Sequence, residues 1–241
     1  MIKIGIIGCG KITEVRHAPE YMENPNCKLA AFYDLVPARA EEFAKRFGGK
    51  AYGTVEELLA SGVDSVSVCT ANTSHAAMAI QALRAGKHVL CEKPMATTLA
   101  DCEAMAAAAR ESGKYLMIGQ NQRLAKAHVE AKKILDSGEV GTLVTFETHF
   151  CHPGPEGWTG KKNSWFFDKR LASFGAMADL GVHKTDLIIW LTGRKVVRTY
   201  AVLATLDKKF PDGSPITVDD NAFCTYTLEG GAVGTLAVGW T

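Results

Sequence analysis

The chain opens with a short apolar run, residues 2–7 (Ile-Lys-Ile-Gly-Ile-Ile), that stops at Gly8. Apolar residues on both parities predict a strand buried on both faces. A helix is expected over residues 12–23, closed by Pro25-Asn26. The same reading predicts strands over 29–33, 65–69, 88–91 and 115–118. Helices are expected over 38–47, with Pro37 at the first turn, and over 74–84 and 99–111. Short apolar strands alternating with helices of ten or more residues predict right-handed βαβ units, hence an α/β domain with a doubly wound parallel sheet.

The rhythm changes after Arg123. One more helix is expected over 125–136, and the strands then lengthen and become polar on alternate residues: 143–150, 196–206, 216–228 and 232–238. Alternation of this kind suits a sheet with one wet face, and Glu229-Gly230-Gly231 predicts an antiparallel hairpin. The domain boundary is placed near Gln122, giving an α/β domain over residues 1–122 and an α+β domain over 123–241.

Composition narrows the class. The chain has 241 residues, 47% hydrophobic, with 27 basic and 26 acidic side chains for a formal charge of +1. That balance argues against disorder and gives no electrostatic reason to expect nucleic acid or a membrane surface as partner. No apolar stretch has membrane-spanning length, and no signal peptide is visible. Seven scattered cysteines, never spaced Cys-x-x-Cys, read as reduced thiols in a cytoplasmic protein rather than as disulfides or a zinc site, and no metal centre is expected.

Candidate chemistry begins at the first turn. Gly8-Cys9-Gly10-Lys11-Ile12-Thr13 follows a strand and opens a helix, the setting in which two glycines let the backbone approach a pyrophosphate at a helix N-terminus. Thr13 stands at the third glycine position and is expected to loosen helix–strand packing. Asp34, at the end of the second strand, lies where a carboxylate accepts hydrogen bonds from a ribose. It would repel a 2′-phosphate, so NAD is expected rather than NADP, with Arg39 pointing to solvent.

Lys93 ends a strand at the sheet edge that binds ligands in doubly wound folds, and Pro94 holds its backbone extended. Asp179 and His183 are one helical turn apart and share a face, which suits a carboxylate orienting an imidazole base. Oxidation of a secondary alcohol needs a hydride acceptor, a base and a group that stabilises the alkoxide. His183 is the expected base, Lys93 the alkoxide stabiliser or proton relay, and Asp179 the orienter, the two lobes bringing them to one carbinol.

Taken in order, these motifs resemble the glucose–fructose oxidoreductase / inositol dehydrogenase (Gfo/Idh/MocA) family. The others that carry the likeness are Thr70-Ala71-Asn72-Thr73-Ser74-His75, Glu92-Lys93-Pro94, the Gly119-x-Asn121-x-Arg123 stretch and Asp179-x-Gly-x-His183-x-x-Asp186. The resemblance implies a Rossmann domain and then an open, mainly antiparallel sheet, with Lys93, Asp179 and His183 catalytic. It implies a cofactor site of Gly8, Gly10, Lys11, Ile12, Asp34, Thr70, Asn72, His75, Glu92, Lys93 and Asn121, with Asn72 and His75 on the nicotinamide side and a cis Lys93–Pro94 bond. Ala71 replaces a usual proline, so a less rigid loop is expected. Family chains usually continue further, so the second sheet is expected to be truncated.

The long aromatic and polar loop over 149–170 suits a polyol or sugar. His152, Trp165 and Arg170, with Arg123, Asp179 and His183, are the expected substrate contacts. The leading expectation is an NAD-dependent dehydrogenase of a sugar, inositol or related polyol, assembled as a homo-oligomer through the second-domain sheet. The alternatives are a glycosidase using NAD for transient oxidation and an NAD-sensing regulatory protein.

Overall fold

Buried β-branched side chains on both faces of successive short strands build a parallel sheet in the first part of the chain. The computed structural model describes residues 1–241, which form two units, Met1–Gly119 and Gln120–Thr241. In the first, β1 (Ile2–Ile7), β2 (Cys27–Tyr33), β3 (Lys50–Ala51), β4 (Ser65–Val68), β5 (His88–Cys91) and β6 (Leu116–Ile118) lie in the order β3-β2-β1-β4-β5-β6. Every pair is parallel. Its helices are α1 (Ala18–Glu23), α2 (Pro37–Phe47), α3 (Val55–Ala60), α4 (His75–Arg84) and α5 (Leu99–Ser112). On one face of the sheet Ile7, Val66 and Val89 pack with Leu58, Leu83 and Met105 from α3, α4 and α5. On the other, Ile6 and Phe32 pack with Ala18 of α1 and Phe43 of α2. This is the doubly wound sheet that the alternating pattern predicts.

β3 and α3 were absent from the expected elements. The sequence does carry a signal for α3: the Thr54 hydroxyl accepts from the Glu57 amide at 3.1 Å, and the Glu57 carboxylate accepts from Gly53 N–H at 3.0 Å. That is a capping-box arrangement. Ahead of α1 the chain makes a π-helical turn, Thr13–His17, which a 3.6-residue pattern does not reveal.

The second unit contains α6 (Lys126–Ser137), β7 (Thr145–Cys151), α7 (Pro155–Thr159), α8 (Lys169–Ala172), a π-helical turn (Met177–Gly181), α9 (Val182–Thr192), β8 (Val196–Ala204), β9 (Asn221–Leu228) and β10 (Val233–Gly239). The sheet order is β7-β10-β9-β8. The Gly230-Gly231 hairpin joins β9 and β10 antiparallel, β8 adds antiparallel to β9, and β7 pairs parallel with β10. The sheet is therefore mixed and mainly antiparallel.

Its inner face, including Cys224, Tyr226, Leu228, Leu236 and Val238, is buried with Leu180, Ile188 and Trp240. The register pairs Val202 with Phe223 and places Tyr200 and Val233 on the same outer face, where all four are exposed.

The strand expected over 216–228 begins only at Asn221, because Asp219 and Asp220 take the neighbouring backbone out of the ladder. Asp219 accepts from the amides of Gly175 and Met177 at 2.8 Å each. Asp220 accepts from Leu206 at 2.8 Å and from Asp207 and Lys208 at 2.7 Å. A Cβ at Gly175 would collide with the Asp219 carbonyl and crowd Val218 at 2.8 Å. Gly175→Ala is therefore expected to lower the unfolding free energy by about 3 kcal/mol. Urea denaturation checks this, and a loss under about 1 kcal/mol would contradict the close approach.

Candidate functional site

The carboxyl ends of β1, β2, β4 and β5 meet along one edge of the first sheet. The Gly8 amide donates to Tyr33 O and the Cys69 amide to Ile7 O, each at 2.8 Å. Gly8 has φ +102°, and a Cβ there would stand 2.5 Å from the Cys69 carbonyl oxygen. Only glycine meets both conditions. Gly10 has no atom within 4 Å of a notional Cβ, so its backbone faces open space. A blocked Gly8 below an open Gly10, at the start of a helical segment, fits the pyrophosphate of a dinucleotide.

Thr13 does not loosen this turn. It is buried, and its hydroxyl donates to Gly8 O at 2.6 Å, replacing the close packing of a glycine with a hydrogen bond. Asp34 closes the turn from the other side. One carboxylate oxygen accepts from the Cys9 amide at 2.8 Å, and the other accepts from Val36 at 2.8 Å. Arg39 does not simply point to solvent: its guanidinium stands 3.7 Å from Asp34. Lys11 forms a surface pair with Glu14 at 3.0 Å. Ile12 immediately precedes the π-helical turn.

Past β4, Thr70 leads into the 3₁₀ turn Asn72–Ser74, with Asn72 buried. His75 is 1% exposed, with Nδ1 2.7 Å from Pro94 O and Nε2 3.1 Å from Thr70 O. It braces two loops from within. Burial holds its imidazole below the ordinary histidine range despite the two carbonyls. These two contacts link Thr70, next to Ala71, with Pro94.

Lys93 follows β5, and the Lys93–Pro94 bond is cis. The Lys93 amide donates to Glu92 Oε2 at 3.2 Å, and Glu92 Oε1 lies 2.8 Å from His17 Nε2. Both side chains of this pair are largely buried. Burial opposes a charged ring, but the Cys69 sulfur and the Glu92 carboxylate outweigh it and raise His17 to about 10. Burial would raise the Glu92 carboxyl, yet the His17 hydrogen bond and charge, with the Lys93 charge, bring it below the usual range. Sequence reading missed His17. The available signal was position: 13, 17 and 21 are spaced by four, and all three side chains are anchored, Tyr21 through a 2.7 Å hydrogen bond to Ser67.

In the second unit Asp179 lies in the π-helical turn and His183 in the first turn of α9, both buried. A Cβ on Gly181, between them, would strike the Met177 side chain. The Asp179 carboxylate accepts from the Trp240 indole at 3.2 Å and stands 3.5 Å from His152 Nε2. The Gly154 amide donates to His152 Nδ1 at 2.9 Å. That leaves the neutral ring's proton on Nε2, facing Asp179. The rings of His152 and His183 both flank Phe150, with centroids 6.3 and 6.4 Å away. Asp179, His152, Phe150 and His183 thus form one cluster.

The remaining candidates lie elsewhere. Arg123 is clamped by both oxygens of Asp186, with Nε donating at 2.7 Å. Trp165 stacks on Phe166 at 4.0 Å. Arg170 is 88% exposed and pairs with Asp168 of its own helix terminus. Each of these three thus has a side-chain partner within its own unit. Asn121 opens the 3₁₀ turn Asn121–Leu124.

Residues 2–120 match the oxidoreductase family with an NAD-binding Rossmann fold, and residues 128–241 match the GFO/IDH/MocA C-terminal domain. The chain belongs to the Gfo/Idh/MocA family of oxidoreductases. It is similar to glucose-6-phosphate 3-dehydrogenase of Bacillus subtilis (strain 168), 32% identical over 92% of this chain and 63% of that protein. Among solved structures, GenD2 from gentamicin A biosynthesis, in complex with NAD, superposes with a TM-score of 0.88. It is 29% identical, over 99% of this chain and 66% of that one. Levoglucosan dehydrogenase, in complex with NADH and levoglucosan, gives 0.86 at 28% identity, over 99% and 67%. The chain therefore spans roughly two thirds of the length of these relatives. No helix is long and apolar enough to cross a membrane.

His17 gives a prediction about stability. Its folded-state value, about 10, lies above the ordinary 6.5. Its stabilisation is therefore complete below about pH 6.5 and is lost as the pH rises towards 10, at up to ~1.4 kcal/mol per pH unit. Urea unfolding at pH 7 and pH 9 should show that decline in the wild type and not in His17→Gln, whose amide does not titrate. Equal declines in the two proteins would refute the assignment.

Proposed function

We propose that this chain carries the active site of an NAD-dependent dehydrogenase that oxidises a secondary alcohol of a sugar or related polyol. The observation that carries this reading is the buried Asp179 carboxylate, held by the Trp240 indole and facing one of the two imidazoles that flank Phe150. A protein that only senses a dinucleotide needs the glycine turn and Asp34 but no such proton-handling cluster. Bound NAD would supply the hydride acceptor. His183 takes the hydroxyl proton, and Asp179 orients and polarises the base. Lys93 donates to the developing alkoxide, and His152 holds the substrate through a second hydroxyl.

The substrate class follows from the relatives, glucose-6-phosphate 3-dehydrogenase and levoglucosan dehydrogenase. Wild-type protein is assayed by reduced-nicotinamide absorbance on glucose 6-phosphate, levoglucosan, glucose and myo-inositol. His183→Ala should lower turnover about 10²–10⁴-fold while leaving NAD affinity nearly unchanged. Wild-type turnover in that variant removes His183 from the reaction. Glycoside cleavage without net cofactor reduction would overturn the dehydrogenase assignment.

Asp34 sets the cofactor preference in this reading, and NAD is favoured over NADP. Arg39 lies against Asp34 on the exposed side and is available to a 2′-phosphate once the carboxylate is gone. Asp34→Ser should raise the NADP-to-NAD ratio of kcat/KM by about 10-fold or more, about 1.4 kcal/mol or more in relative transition-state binding. An unchanged ratio refutes that role.

A second copy is the proposed cover for the outer sheet face bearing Tyr200, Val202, Phe223 and Val233. Light scattering should give a dimer or larger assembly that Phe223→Lys dissociates. A wild-type monomer at assay concentration rules this out.

A further inference from the structure

We propose that His17 is a positioning residue for Lys93, acting through Glu92. The chain of contacts is short and enclosed. His17 Nε2 lies 2.8 Å from Glu92 Oε1, and Glu92 Oε2 accepts the Lys93 amide at 3.2 Å. The proposal rests on the reading of Lys93 as the alkoxide donor.

The backbone at Lys93 needs this support because the strand ladder ends just before it. The Glu92 amide still donates to Val68 O at 2.9 Å, and the next amide turns to the Glu92 carboxylate. A carboxylate that reaches forward one residue fixes the backbone only if it is itself held, and the His17 ring holds its other oxygen. The ring cannot drift, because its helical segment is pinned on either side along the same face. One turn earlier the Thr13 hydroxyl bonds to Gly8 O at 2.6 Å, and one turn later the Tyr21 hydroxyl bonds to Ser67 at 2.7 Å. The glycine turn and the lysine are thereby joined by one rigid link. His17 does not meet substrate in this scheme. It fixes the direction of a side chain that does.

Two amides that differ by one methylene test the link. Gln at position 17 places its amide nitrogen near the site of Nε2 and reaches Glu92, whereas Asn falls short. His17→Gln, His17→Asn and Lys93→Met are compared by kcat and KM on the best sugar of the panel and by NAD titration. Competitive acetylation with acetic anhydride, quantified at Lys93 by mass spectrometry, provides a readout that requires no turnover. His17→Asn is expected to lower kcat about 10- to 100-fold with NAD affinity within about twofold, and to change Lys93 acetylation at least about threefold. His17→Gln is expected to restore both to within about threefold of wild type.

Glu92→Gln breaks the same chain from its other end and must shift Lys93 acetylation in the same direction, which keeps the test open if His17→Asn does not fold. Unchanged Lys93 acetylation in His17→Asn and Glu92→Gln overturns the proposal. So does a loss of kcat matched by an equal loss of NAD affinity in both His17 variants, since that marks support of the whole unit. Full turnover in Lys93→Met instead refutes the role of the lysine in the reaction, and acetylation then judges the link alone.

Discussion

The missing Cβ at residue 8 is the constraint on which the first unit's site depends. With φ +102° and the Cys69 carbonyl oxygen 2.5 Å from where a side chain would begin, the turn after β1 lies directly on the end of β4. That contact brings Asp34, the 70–75 loop and the Glu92-Lys93 segment to one edge of the sheet. It also aims the following helical segment so that positions 13, 17 and 21 all face the sheet. A larger residue at position 8 would displace a turn to which each of these elements is tied, which makes this glycine a structural requirement before it is a ligand-binding one.

Both units solve the same backbone problem in the same way. Where a ladder stops, buried amides still need acceptors, and here carboxylates supply them. Asp34 takes Cys9 and Val36, Glu92 takes Lys93, Asp219 takes Gly175 and Met177, and Asp220 takes three successive amides from Leu206 to Lys208. Charge-assisted bonds of this kind are about twice as strong as neutral ones, and they fix irregular segments without secondary structure. Asp219 is the clearest case. It reaches from the segment before β9 to the start of the π-helical turn and sets the position from which Asp179 projects.

The parallel pairing of the first sheet was legible because short doubly apolar strands between long helices admit few arrangements. The Gly8-x-Gly10 turn with Asp34 was legible for a similar reason, since spacing and context point the same way. What stayed hidden depended on partners distant in sequence. Thr13 read as a defect because the Gly8 carbonyl that it binds is visible only in three dimensions. The four-residue spacing of Thr13, His17 and Tyr21 marks one helical face but names no partner, so His17 passed unnoticed until Glu92 was seen beside it. Arg123, Trp165 and Arg170 stood out through the Gly119–Arg123 stretch and the long loop, but their partners Asp186, Phe166 and Asp168 were not legible in the pattern. The π-helical turns escaped because a search at 3.6 residues per turn does not contain them.

The buried carboxylates also show why Asp179 stands apart. Asp219 and Asp220 face chiefly backbone amides, and Glu92 faces one amide and the His17 ring. Asp179 faces an indole N–H and an imidazole, side-chain partners with two different duties. The indole belongs to Trp240, which is fully buried in the core, so it ties the carboxylate to that core. The imidazole of His152 follows directly after β7 and accepts from the Gly154 amide at Nδ1. The carboxylate is thus tied on one side to the core and on the other to the segment that follows β7. That difference in company, more than burial itself, separates Asp179, which joins side chains from distant parts of the unit, from the carboxylates that hold the backbone.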